Sequence, residues 1–296
     1  MSDNHWKVSI EEEFNKNPNL KKEDIESIKK WLSGQEHLPK IADHSIVMFL
    51  HATRFDVNRT QEVIDLHFTY RTLMKDIFTE RDPDGEDIQK IMTCCRTVIL
   101  PEKDNQGNYI LWSNMFDSDL KKFKFASAGK LNIMTSDVLQ LNEGTIPGVV
   151  YVYDVKNMGL SHLLSTPIKV LRHYVIYGQE SSPFPVKAIH FINTNPVMDK
   201  LINLVKPLIK SHVWKIQFFH SNMETLYQHI PKEVIPEEYG GNAPHTSELA
   251  EKNLEEMRKY REWFLEEETI RVDESKRIDK KKSEQLANNF KKMELD

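Results

Sequence analysis

The sequence predicts an α/β fold: a helical N-terminal module, then a mixed, largely parallel sheet flanked by helices. Three observations carry this reading. Two runs rich in β-branched and aromatic residues, GVVYVYDV at 148–155 and VKAIHFIN at 186–193, suit strands buried on both faces. Segments of helical period lie between and after them. Before the turn Asp82-Pro83-Asp84-Gly85 the apolar residues fall at helical spacing.

Residues 19–33 read as a helix. Lys21, Lys22, Glu23 and Asp24 open it, Ile25, Ile28 and Leu32 form its stripe, and Gly34 stops it. A second helix covers 42–52. A third starts near Asp56 or Asn58, either of which can cap it, and reaches Met74 with Val63, His67, Phe68 and Arg71 along one side. Short strands follow at 97–100 and 109–112, around Asp104-Asn105-Gln106-Gly107. Next come a helix at 131–141, the strand at 148–155, a helix at 166–177, the strand at 186–193, an amphipathic segment at 196–209 and a strand at 215–219. That alternation is the pattern of helix crossovers. Residues 248–268 form a charged helix with Leu254, Met257, Trp263, Phe264 and Leu265 as its apolar contacts. Past Val272 the chain is almost all charge and is expected to be disordered or loosely helical. The divisions expected are 8–82 (helical module), 83–245 (α/β domain) and 246–296 (charged helical tail).

Composition narrows the function. The 296 residues carry a formal net charge of -5, which argues against a nucleic-acid binder. The two cysteines, Cys94 and Cys95, are adjacent and build neither a disulfide framework nor a spaced zinc site, as in a reduced cytosolic protein. The N-terminus has no apolar h-region, and no window reaches 18 apolar residues without a charge, so neither a signal peptide nor a spanning helix is expected. Histidines 51, 67, 162, 173, 190, 212, 220 and 229 show no ligand-type pairing, so no metal site is expected. Without a G-x-G-x-x-G, P-loop or G-x-S-x-G motif, neither a cofactor nor an enzymatic activity is expected.

The segment 196–209 carries Val197, Met198, Leu201, Ile202, Leu204, Val205, Leu208 and Ile209 as a broad apolar stripe, with Lys200, Asn203, Lys206 and Lys210 mostly opposite. An ordinary helix covering a sheet fits this pattern. So does a movable lid whose apolar face seals a pocket or enters a membrane interface. Periodicity does not separate the two. In the strand at 148–155, alternation sets Val149, Tyr151 and Tyr153 on one face and Val150, Val152 and Asp154 on the other.

From Pro183 to Gly241 the string PFPVKAIHFINTNPVMDKLINLVKPLIKSHVWKIQFFHSNMETLYQHIPKEVIPEEYGG resembles the C-terminal half of a CRAL-TRIO lipid-binding domain. The matching features are the KAIHFIN strand, the LVKP of the lid, the turn from Leu226-Tyr227 to Ile230-Pro231, and PEEYGG at its end. GVVYVYD resembles the family's central strand, and FLHATRFDVNRT, starting at Phe49, resembles its helical N-terminal module. WFLEEE, starting at Trp263, resembles insect members. The resemblance, to the branch that carries tocopherol and retinaldehyde, spans about residues 21–241. It implies a CRAL-TRIO fold with a mobile lid helix over a cavity that holds one lipid.

On that resemblance Val149, Tyr151 and Tyr153 face the cavity. Tyr174, Tyr177, Thr135, Val138, Val186, Ile189 and Phe191 join them as walls, and Val197, Met198, Leu201, Ile202, Val205 and Leu208 form the lid. Aromatic walls suit an isoprenoid, retinoid, carotenoid or tocopherol-like ligand. Phosphate or membrane contact falls to His51, Arg54, Lys187, Lys206, Lys210 and His212. This basic set is diluted: His51 stands where an arginine is usual, Pro185 replaces a basic residue, and His212 replaces a lysine or arginine. The expectation is a monomeric, cytoplasmic, non-enzymatic carrier with a bound lipid, a transient membrane partner and no nucleic-acid partner. A second reading is a membrane-targeting adaptor that uses lipid binding as an input and 248–296 as a partner site.

Overall fold

The computed structural model describes residues 5–281, 284 and 288. The chain opens with helices α1 (Ile10–Lys16), α2 (Lys22–Ser33), α3 (Asp43–Ala52), α4 (Val57–Leu73), α5 (Lys75–Phe78) and α6 (Glu86–Met92). Strands β1 (Cys95–Ile99) and β2 (Tyr109–Met115) lead into α7 (Phe125–Glu143), β3 (Val149–Asp154), α8 (Leu160–Ser165), α9 (Ile168–Glu180) and β4 (Val186–Ile192). Then come α10 (Pro196–Val205), a 3-10 turn at Lys206–Leu208, α11 (Ser211–Trp214), β5 (Gln217–His220), α12 (Met223–Leu226), α13 (Thr246–Lys259) and α14 (Arg261–Glu267).

The five strands lie in sequence order, β1 antiparallel to β2 and the rest parallel. Crossovers of one hand between consecutive parallel strands place their helices on one face. Accordingly α7 packs on α9, and α9 on α10. The opposite face buries Ile110, Trp112, Val150, Val152 and Ile192 under Leu226, Ile230, Ile235, Leu249 and Ala250. Residues Val149–Val152 of β3 are therefore buried on both faces, which is why this strand reads as a run of β-branched and aromatic residues.

The helical unit packs Ile25, Ile28, Ile46, Phe49, Leu50, Val63, Ile64 and Phe68 together. Asp56 caps α4, accepting the Arg59 N–H at 3.0 Å. On α1, the buried Glu13 carboxylate accepts the Thr145 N–H (2.9 Å) and the Thr145 hydroxyl. Gly144 makes this approach possible: its φ is +63°, and a Cβ there would lie 1.8 Å from Glu13 Oε1.

Two expectations need correction. Helix α7 starts six residues earlier than 131, because the added turns are buried and lack an amphipathic stripe. The segment after Val272 is not loose as far as Arg277. Arg277 is buried, binding both Asp65 carboxylate oxygens (2.7 and 2.8 Å) and the Thr69 hydroxyl (2.8 Å). The Asp273 N–H reaches the His37 carbonyl at 2.9 Å. Val272 itself joins the core of the helical unit. The expectation for 282–296 falls largely outside the described residues.

Behind α7 lies a buried charge cluster. Arg81 is paired with Asp137 and Glu267, and Arg71 Nε stands 2.8 Å from Glu267 Oε1. Arg271 approaches the same oxygen at 3.8 Å. Five parts of the chain meet there: α4, the segment after α5, α7, α14 and the segment after α14.

Candidate functional site

The face of the sheet on the side of α7 and α9 carries a row of stacked rings. Parallel register aligns Tyr153 with Phe191 and Phe191 with Phe219. Their centroids are 5.5 and 5.2 Å apart, Tyr151 lies 6.1 Å from Tyr153, and Trp214 tilts onto Phe219 at 5.9 Å. Tyr153, Ile189, Phe191, Phe219 and Trp214 are only partly buried, whereas the other face is sealed.

Helix α10 packs on α8 and α9. Met198 is 2% exposed, and Leu201, Ile202, Val205 and Leu208 are partly buried. The Val197 side chain lies outside the described residues. On α8, Leu160 and Leu164 are 42% and 77% exposed. His162 ties this helix to the β2–α7 segment through the Ser118 carbonyl at 3.1 Å. That segment exposes Phe116 and Leu120.

The polar groups beside this row are hydroxyls and one amide. Tyr174 donates to Asn132 Oδ1 at 2.8 Å, and the Tyr153 and Tyr174 hydroxyls stand 3.2 Å apart. The Tyr151 and Ser136 hydroxyls are also 3.2 Å apart. Burial raises all three phenols, to about 12 for Tyr174 and well above the ordinary range for Tyr153, so they stay neutral.

The structure gathers Tyr151, Tyr153, Tyr174, Val186, Ile189 and Phe191 on this side of the sheet and turns other expected residues elsewhere. Thr135 faces β1 and α13, accepting from Asn253 Nδ2 at 3.0 Å. Val138 packs with Ile88, Cys94, Met257 and Phe264. Ser136, one residue and about 100° further round the helix, meets Tyr151 instead. Tyr177 is directed at the helical unit, its ring 4.7 Å from Phe78 and its hydroxyl 3.4 Å from Arg71. Val149 is sealed among Leu139, Ile146 and Phe184. Asn132, Ser136, Phe219 and Trp214 are the additions. Gly129, Asn132 and Ser136, at helical spacing, were a legible small and polar stripe; a Cβ on Gly129 would meet the Tyr174 ring at 3.0 Å.

The basic positions gather where the parallel strands begin, and acids stand among them. Lys187 is the second residue of β4, and Lys206, Lys210 and His212 precede β5. Lys210 pairs with Glu180 at 3.1 Å, and Lys206 lies over Trp214 at 4.9 Å. Burial lowers the His51 pKa, with Glu13 opposing and Lys187 reinforcing the shift. Arg54 is exposed on the α3–α4 turn with φ of 57°.

On the opposite face three histidines meet that no sequence spacing links. His190 Nδ1 is 2.9 Å from His220 Nε2, and His229 lies 5.1 Å from His190 between ring centroids. Among the described residues no group of three or more His, Cys, Asp or Glu side chains is arranged to hold a metal ion. Among those residues, too, no helix is long and apolar enough to cross a membrane.

Fold and site together define an α/β protein with a partly buried aromatic row on one sheet face and an amphipathic helix, α10, packed on α8 and α9. Residues 95–241 match the CRAL/TRIO domain model, and residues 17–88 match the model described as "Pinta-like, UBA domain". Clavesin-1 of Xenopus laevis is 25% identical over 236 residues, covering 78% of this chain and 71% of that protein. The human "Alpha-tocopherol transfer protein-like" is 20% identical over 238 residues, covering 78% and 68%. The crystal structure of Sfh5 shares the fold, with a TM-score of 0.52 at 16% identity over 90% of this chain and 88% of that one. The chain belongs to the CRAL/TRIO family of lipid-binding transfer proteins.

Proposed function

We propose that this protein is a non-enzymatic carrier that holds one hydrophobic molecule between the lid-side face of the sheet and α10, and exchanges it at a membrane from the cytoplasmic side. The observation that carries the reading is the partly buried row Tyr153, Phe191 and Phe219. An apolar ligand laid on it would remove that surface from water at about 25 cal/mol per Å². The relatives agree in kind, since one of them is named for tocopherol transfer. Leu160 and Leu164 on α8, beside α10, supply an apolar edge for docking at a bilayer. The basic set is partly countered by Glu13 and Glu180, which supports weak rather than strong phosphoinositide binding.

The test is to purify the protein, extract it with organic solvent and identify the contents by mass spectrometry, then follow transfer of that lipid between vesicles. The expected result is a near-stoichiometric lipid that the protein moves between membranes. A protein that yields no lipid and accelerates no transfer would overturn the reading.

A further inference from the structure

This inference concerns Cys94 and Cys95 and stands apart from the carrier reading. They are the two cysteines of the chain, adjacent in sequence where α6 gives way to β1. Both are buried, in a core that includes Ile88, Ile91, Met115 and Leu131. Their sulfurs stand 3.8 Å apart, and Cys94 Sγ lies 3.4 Å from the Ile91 carbonyl oxygen. Burial leaves each sulfur one thiol partner within reach, the other, and favours oxidants little larger than water.

The two thiols are not equivalent. The Cys95 S–H beside it lowers the Cys94 pKa against the opposing effect of burial, whereas that same contact and burial push the Cys95 thiol up. The thiolate is the reactive form, so Cys94 is the attacking thiol and Cys95 the resolving one. The backbone between them also holds a neighbour. The Cys94 carbonyl accepts the Phe116 N–H at 2.9 Å and the Asp117 N–H at 3.3 Å, where the chain leaves β2. The segment that starts there exposes Phe116 and Leu120 and is tied to α8 through the Ser118 carbonyl. A disulfide ordinarily joins Cα atoms about 4.4–6.8 Å apart, whereas neighbours across a trans peptide are about 3.8 Å apart. Bond formation therefore twists the Cys94–Cys95 peptide and swings its carbonyl off the two N–H groups.

We propose that Cys94 and Cys95 are a reversible oxidation site for a small hydroperoxide, and that closing their disulfide frees the segment beginning at Phe116 from the start of β1. The Cys94 thiolate attacks one peroxide oxygen. The O–O bond breaks, the sulfur becomes a sulfenic acid, and the departing oxygen takes a proton and leaves as water or an alcohol. The Cys95 sulfur then attacks the sulfenic sulfur. The S–S bond forms, the S–O bond breaks, and hydroxide leaves with the Cys95 proton as water. Two electrons pass from the thiols to the peroxide. Strain in so short a link makes it easily reduced, so a dithiol reverses the step.

The experiment treats the full chain with hydrogen peroxide and then with dithiothreitol, reading intact mass, free thiols and amide hydrogen exchange. The expected result is loss of both thiols with a mass lower by two hydrogens, no covalent dimer, full return with dithiothreitol, and exchange at Phe116 and Asp117 about tenfold faster in the oxidised form. Cys95→Ala should stop at a Cys94 sulfenic acid that dimedone traps, and Cys94→Ala should leave Cys95 unreacted at the same dose; the reverse pattern would overturn the assignment of roles. Thiols that survive a dose that oxidises methionine, or that end as sulfinic acids or intermolecular disulfides, would overturn the site. An intramolecular disulfide with unchanged exchange at the two amides would overturn its coupling to the segment. So would faster exchange that persists when both cysteines are alanine, since methionine oxidation would then be its cause.

Discussion

Replacing Glu267 by glutamine tests how the C-terminal helices hold the fold. Glu267 is 1% exposed, with Arg71 Nε at 2.8 Å and Arg81 in direct contact. Burial pushes its carboxyl up, but Arg71, Arg81 and Arg271 together outweigh this and hold it at about 2, against 4.5 for an ordinary glutamate. Each tenfold in that equilibrium is worth about 1.4 kcal/mol, so the charged form contributes about 3 kcal/mol at pH 7. Breaking a buried pair by removing one partner is independently expected to cost about 3–5 kcal/mol. Glutamine keeps the volume and removes the charge. The sign follows from the lowered pKa: the contribution is complete above about pH 4.5 and is lost as pH falls toward about 2. Glu267→Gln should therefore lower the urea-unfolding free energy by about 3 kcal/mol at pH 7, with an unchanged m-value, and by only about 1–1.5 kcal/mol at pH 3. At about 2–4 °C per kcal/mol, the melting temperature at pH 7 should fall by about 10 °C. A cost below about 1 kcal/mol at pH 7, or a gap that does not narrow by pH 3, would refute the reasoning.

Three further outcomes are expected. Gly144→Ala, which sets a Cβ 1.8 Å from Glu13 Oε1 at a φ of +63°, should cost about 2 kcal/mol or more and speed hydrogen exchange in α1; unchanged exchange there would contradict the lock between α1 and the α7–β3 turn. Leu164→Glu should leave the melting temperature unchanged, because Leu164 is 77% exposed, yet weaken binding to vesicles about tenfold; equal vesicle affinity would remove α8 from the docking edge. Burial, with His220 and His229 adding, lowers His190 to about 3 from 6.5, so the folded state keeps it neutral while the unfolded chain takes a proton below about pH 6.5. Stability is lost as pH falls through that window, by about 2 kcal/mol between pH 7.5 and 5, and His190→Gln should remove that part of the dependence in parallel urea titrations; an unchanged pH dependence would count against it.

The parts of the fold that were legible in the sequence are those whose environment is uniform. Strand β3 is buried on both faces from Val149 to Val152, so β-branched and aromatic residues run on there without polar interruption, and β4 keeps the same character around Lys187 and His190. The stripe of α10 showed because one side of that helix is apolar. Helix α7 was read short because its buried residues go most of the way round, which erases the period. Thr135 and Ser136 offer the same hydroxyl, and only the rotation of the helix decides which one meets Tyr151. Arg277 and Glu267 read as solvated charge, since nothing local announces partners as remote as Asp65 and Arg81. His190, His220 and His229 come from β4, from β5 and from beyond α12, so only the folded chain brings them together.

The pairing of Arg277 with Asp65 has a consequence for how the protein is made. The two residues are 212 apart in sequence. At about 5–20 residues per second, a ribosome places Arg277 in the chain roughly 10–40 s after Asp65. Throughout that interval the N-terminal segment lacks the guanidinium that binds both Asp65 oxygens, leaving His37 and Thr69 among the partners of that carboxylate, and it lacks the Val272 side chain of its core. The first part of the protein to be synthesised is thus among the last to reach its final form, and a nascent chain halted before Arg277 would present chaperones with an unfinished N-terminal half.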